Sequence, residues 1–221
     1  MVSTMRWGTS SKTISRRSRN FGITPSTSAP PAHAALAQVY SLLHDQAKMT
    51  AEVDRALNLA PNNADILVLT SPFLLQIDRA ELALKNVSRA LKLNPNYPFW
   101  YNTTLYTDYF YAGDFAKAYD YAREAAKSAA VNTDFLAMIT AQLGKQEEAA
   151  QAKNALQKSD PAWSVERLLT NFGDYTGVSE RSNLVTGATK AGLRVCMSKP
   201  ELAEMPNAIQ LQQCQDERAK T

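Results

Sequence analysis

The sequence predicts an all-α fold, a right-handed superhelix of helix–turn–helix repeats closed by C-terminal capping helices. Three observations carry this reading. The 221 residues include only 8 Gly and 10 Pro and are rich in Ala, which favours helices over a turn-dense β architecture. Pro61 and Pro95, in the runs LNLAPNNAD and LKLNPNYPF, stand 34 residues apart, the period of a two-helix repeat. Small, aromatic and glycine positions recur in register with those prolines.

The first element is a leader, residues 1–31, rich in Ser and Thr and ending in a Pro pair. It holds five of the 24 basic residues (Arg6, Lys12, Arg16, Arg17, Arg19) and precedes the first acidic residue, Asp45. The remainder sets 19 basic against 21 acidic residues, so the net +3 belongs to the leader. A nucleic-acid partner needs a basic stripe on the folded body, and none is expected. The leader lacks helical periodicity and an apolar h-region. Two readings remain for it, a disordered leader or a targeting peptide. No run approaches the ~20 apolar residues of a membrane span.

Residues 32–163 form four predicted repeats. Leu36, Ala37, Tyr40 and Ala56 mark the first, and Ser71, Ala83 and Ala90 the second. Leu105, Tyr109, Gly113, Phe115, Ala118 and Ala125 mark the third, and Leu136, Ala137, Gly144, Ala149 and Pro161 the fourth. Small side chains belong where two helices cross at ~8–10 Å. Gly113 and Gly144 end a helix with a left-handed cap. Pro72 departs from the pattern: inside a helix it predicts a kink or an irregular second repeat.

Over about residues 30–163 the chain resembles tetratricopeptide repeat (TPR) proteins. A narrower resemblance lies in LKLNPNYPFWYNTTLYTDYFYAGDFAKAYDYAREA (91–125) and TKAGLRV (189–195). These runs resemble the repeat segment that follows the catalytic domain in bacterial class III adenylate cyclases. The resemblance implies a scaffold role in a cyclase-like system. It carries over no catalytic residue, because the metal-binding Asp and transition-state Asn and Arg of such enzymes belong to a domain that does not fit in this chain. A cyclase fragment without its catalytic domain is the alternative reading.

Motifs for catalysis are missing. His33 and His44 have no Cys/His cluster around them, so no metal is expected. Neither GxxxxGK[ST], GxGxxG nor GxSxG occurs, and no cofactor is expected. Glu147–Glu148 and Asp216–Glu217 are adjacent on helical stretches and diverge by about 100°.

Residues 164–221 are expected to hold capping helices and a cysteine-containing extension. Ser198 and Glu201 make a capping box with Pro200 in the first turn, predicting a short helix over 199–205 that breaks at Pro206. That break could return Cys214 to Cys196. A bridge would contribute ~3 kcal/mol; two reduced, packed thiols are the other possibility. The chain reads as cytoplasmic, or as exported or organellar if the bridge forms.

The concave face of such an array binds protein or peptide partners. Eleven of the 19 aromatics lie within 97–121, more than one helix can bury. The candidate contact residues are Trp100, Thr103, Thr107, Phe110, Tyr111, Phe135 and Met138. No Lys or Arg occupies the predicted groove positions, so a carboxylate clamp is not expected. Segment 164–195 competes for the same groove.

Overall fold

A computed structural model of the protein describes residues 29–128, 131–172 and 178–220. The expected leader falls almost wholly outside the described residues. Among the described residues there are twelve helices and no strand. Eight form antiparallel pairs: α1 (Pro30–Leu42) with α2 (Gln46–Leu59), α3 (Ala64–Gln76) with α4 (Ala80–Leu93), α5 (Tyr101–Tyr111) with α6 (Phe115–Ala126), and α7 (Thr133–Gln142) with α8 (Gln146–Ser159). Helix α1 begins two residues before the expected boundary. Pro30 and Pro31 sit in its first turn, where a missing N–H leaves no bond unmade.

Each pair turns by the same device. The residues at the turn are His44, Asp78, Gly113 and Gly144, with φ of 55°, 59°, 80° and 73°. The next N–H reaches back to a carbonyl five residues earlier: Asp45 to Tyr40, Arg79 to Leu74, Asp114 to Tyr109 and Lys145 to Thr140, all at 2.8–2.9 Å. This is the bond pattern of a Schellman cap. Asp45 and Asp114 then cap the second helix, accepting from the N–H of Lys48 and Lys117. The crossing positions Ala37, Ala56, Ser71, Ala83, Ala90, Ala118, Ala125, Ala137 and Ala149 are all buried, as close helix packing requires.

Helix α3 runs unbroken through Pro72. Proline removes the donor that Val68 O would receive from residue 72. The Ser71 hydroxyl supplies a substitute, 2.9 Å from Val68 O. Second-repeat helicity thus survives by a local side-chain replacement.

Four shorter helices follow: α9 (Val165–Phe172), α10 (Val178–Lys190), α11 (Lys199–Glu204) and α12 (Gln212–Arg218). Helix α11 starts on the Ser198/Glu201 capping box. The extension wraps around α9 and converges on Glu166, which is fully buried. Its carboxylate accepts from the N–H of Met197 (2.7 Å) and Leu211 (2.9 Å), and from both terminal nitrogens of Arg218 (2.8 and 3.1 Å). Cys196 and Cys214 are joined beside it, with Cα atoms 5.4 Å apart. No described helix is long and apolar enough to cross a membrane.

Candidate partner-binding groove

Helices α1, α3, α5 and α7 come first in each pair; α1 packs on α3 and α3 on α5, and α5 meets α7 through the rings of Tyr106, Phe110 and Phe135. The third and fourth pairs carry most of the aromatic side chains expected in the groove. Phe110 lies edge-on to Phe135, with ring centroids 5.4 Å apart, and Tyr111 meets Phe135 at 5.8 Å. Phe110, Tyr111, Phe135 and Met138 are all buried. Trp100, Thr103 and Thr107 are half-buried. Trp100 stands edge-on to Tyr101 at 4.5 Å, away from the Phe110 cluster.

What covers Phe110 and Met138 is α10, which packs on both α5 and α7. Gly187 makes the close approach: a Cβ there would lie 3.0 Å from Phe110 Cζ and 3.2 Å from Met138 Cβ. Asn183 Nδ2 donates to Tyr111 O at 2.9 Å, and Lys190 Nζ to Gln142 Oε1 at 2.7 Å. The C-terminal segment therefore fills much of the third and fourth repeats' concave face. The sequence signal for this was a small residue in mid-helix, Gly187, opposite a cluster of large ones.

One part of the groove stays open, a cavity of about 390 Å³ between α5, α7 and α9. Thr107, Tyr111 and Phe135 contribute one wall, and Trp163, Arg167 and Leu168 the other. So three of the seven expected contact residues share this cavity, two lie under α10, and Trp100 and Thr103 line neither. The expected competitor segment 164–195 contains this α9 wall, but the sequence reading singles out none of its residues. Its signal was present in Val165, Leu168, Leu169 and Phe172, spaced along one helical face.

Three acidic or basic side chains line the cavity: Asp134, Asp160 and Arg167. Asp134 is buried, which raises its carboxyl above the usual range. It accepts from Trp163 Nε1 (3.0 Å) and from the N–H of Phe135 (2.8 Å), fixing the indole as a wall. Arg167 is half-buried at the rim, and its guanidinium has no hydrogen-bond or ion-pair partner among the described residues. Arg194 and Arg218, by contrast, pair with Glu201 and Glu166. Arg167 also brings to the groove wall a positive charge that the repeat positions alone did not predict. A cavity with an aromatic and aliphatic floor and one free planar cation can seat an apolar side chain beside a carboxylate. No group of three or more His, Cys, Asp or Glu suited to a metal occurs among the described residues.

The paired helices, the recurring caps and the aligned first helices define a TPR-like helical repeat protein. No family model matches the chain, and no curated protein matches it. Among solved structures it is similar to the crystal structure of PilW, a widely conserved type IV pilus biogenesis factor. That likeness has a TM-score of 0.53 at 19% identity and covers 86% of this chain and 83% of that chain. It is a likeness of fold.

Proposed function

We propose that the chain is a non-catalytic scaffold that binds a protein or peptide segment in the open part of its concave groove. The observation that carries this is the cavity of about 390 Å³ walled by Tyr111, Phe135 and Trp163, with Arg167, unpartnered among the described residues, at its rim. A biogenesis factor among its fold neighbours supports an assembly role. The finer reading, a regulatory or assembly part of a cyclase-like signalling system, rests on the runs at 91–125 and 189–195.

The test is site-specific photocrosslinking in the native cell. A photoreactive residue at Thr107 or Asn171, on the cavity wall, is expected to give a discrete protein adduct. The same residue at Lys92, exposed at the end of α4, is expected to give none. Equal labelling at all three positions would refute the groove assignment. A genuine partner is also expected to lose the adduct when Arg167 is changed to Glu.

The joined Cys196 and Cys214 support residence in an oxidising compartment over the cytoplasm. Maleimide labelling of denatured, non-reduced protein is expected to find no free thiol. Two labelled cysteines in protein taken directly from cells would favour the cytoplasm.

A further inference from the structure

The tenth position of each repeat's first helix is held by Val39, Phe73, Asp108 and Ile139. Three of these are buried, with exposures of 5%, 0% and 0%, but Val39 is 48% exposed. The reason for burial is visible at Asp108, whose carboxyl touches Ser71 on the preceding repeat. This position faces the helix before it. At the seventh position Thr70 and Leu105 are likewise buried, while Leu36 is 36% exposed. No described element covers this face of α1.

The uncovered face is continuous. Ala32, Ala35, Leu36, Val39, Leu42 and Leu43 fall at i, i+3, i+4, i+7, i+10 and i+11, the apolar spacing of one helix face. Leu42 and Leu43 are strongly exposed. From Pro30 to Leu43 there is no Asp, Glu, Lys or Arg, and His33 is buried against Glu52. The seam is also graded, with small side chains at its N-terminal end and large ones at its C-terminal end.

We propose that this face is a homodimer seam, with α1 packing antiparallel on α1 of a second copy. A two-fold axis near Ala37 and Gln38 sets Ala32 opposite Leu43 of the second copy and Leu36 opposite Val39 of the second copy. Large then meets small at the ends, as ridges meet grooves, whereas a parallel pair would set Leu42 and Leu43 against themselves and leave a gap at the alanines. The absence of charge means that the two-fold opposes no like charges. A heterologous partner would gain nothing from the size gradient unless it carried the reverse one, and this chain supplies that reverse by symmetry. Helix α1 is about 20 Å long, so the seam covers less than the ~800 Å² per partner of a standard stable interface, and a weak, concentration-dependent dimer is expected.

Sedimentation velocity of the full chain, from dilute solution to the highest concentration at which it stays soluble, tests this. The expected result is a concentration-dependent shift from monomer to dimer. Val39→Glu and Leu43→Lys, both at exposed positions, are expected to stay monomeric with unchanged circular dichroism. Leu93→Lys, an exposed leucine off the seam, is expected to dimerise like wild type. A wild-type chain that is monomeric at the highest concentration overturns the proposal. So does dimerisation undiminished in Leu43→Lys, or assembly beyond a dimer. Leu43 follows the last residue of α1, so this second variant carries the test even where Val39→Glu perturbs folding.

Discussion

The carboxyl of Asp108 lies 2.6 Å from the hydroxyl of Ser71, in the packed interface between α5 and α3. The same hydroxyl lies 2.9 Å from Val68 O, the carbonyl that Pro72 leaves without a donor. A hydroxyl has one hydrogen and cannot donate to both. A protonated carboxyl resolves the count: Asp108 donates to Ser71 Oγ, and Ser71 donates to Val68 O. Complete burial pushes the Asp108 carboxyl up to about 8, and its Oδ1 has no partner among the described residues. A helix-interior proline, a serine and a neutral aspartic acid thus form one unit.

The pH dependence follows with a definite sign. The folded-state value is raised from 3.8 to about 8, so below pH ~4 both states are protonated and the contribution to stability is fully present. As pH rises through about 8, the unfolded state ionises more readily and stability is lost, on the order of a few kcal/mol. Asp108→Asn keeps a donor for Ser71 and cannot ionise. Urea denaturation at pH 5 and pH 9 is expected to show the larger decline in wild type, with the variant the more stable at pH 9. Equal declines would show that Asp108 ionises freely in the fold.

The turn residues make a second prediction. His44 holds the left-handed position that Gly113 and Gly144 hold in later repeats. That conformation costs an L-residue ~1–2 kcal/mol, partly offset by the extra unfolded-state entropy of glycine. His44→Gly is expected to stabilise the protein by about 0.5 kcal/mol, and Gly144→Ala to destabilise it by about 1 kcal/mol. Thermal denaturation of the pair checks the direction of both.

Gly187 makes a third. Adding a side chain where a Cβ alone would lie 3.0 Å from Phe110 forces α10 away from the groove. Gly187→Val is expected to cost about 1–3 kcal/mol. Hydrogen exchange is expected to rise along α10 while the α1–α4 pairs keep their protection. Uniformly raised exchange would mean that α10 is integral to the whole array rather than an occupant of its groove.

A fourth concerns the anchor of the extension. Glu166→Ala leaves Arg218 facing a buried site and deprives the N–H of Met197 and Leu211 of their acceptor. Removing one partner of a buried pair costs about 3–5 kcal/mol. Limited proteolysis is expected to cut first within 193–220. A cleavage pattern identical to wild type would place the anchor elsewhere.

Much of the fold is legible because its signals are local: proline spacing, small residues at helix crossings, glycine caps and the Ser198 capping box each act within one repeat. The turns at His44 and Asp78 carry no such mark, since tertiary packing imposes left-handed geometry on residues that do not prefer it. Pro72 signals a break that a neighbouring serine cancels. In the groove, local register identifies Thr107, Tyr111 and Phe135, which line the open cavity. It does not show that Phe110 and Met138 meet Gly187, about 50–75 residues away along the chain, because that contact depends on how the C-terminal segment folds back. Arg167 escapes notice for the same reason: it enters the groove from α9, outside the repeats.

The central claim is that a partner occupies the cavity that α10 leaves open. Hydrogen–deuterium exchange of the chain, with and without the partner captured at Thr107, addresses it most directly. Added protection is expected over 107–111, 132–138 and 165–172, with none on α6. Protection confined to α6, or to α1, would contradict it.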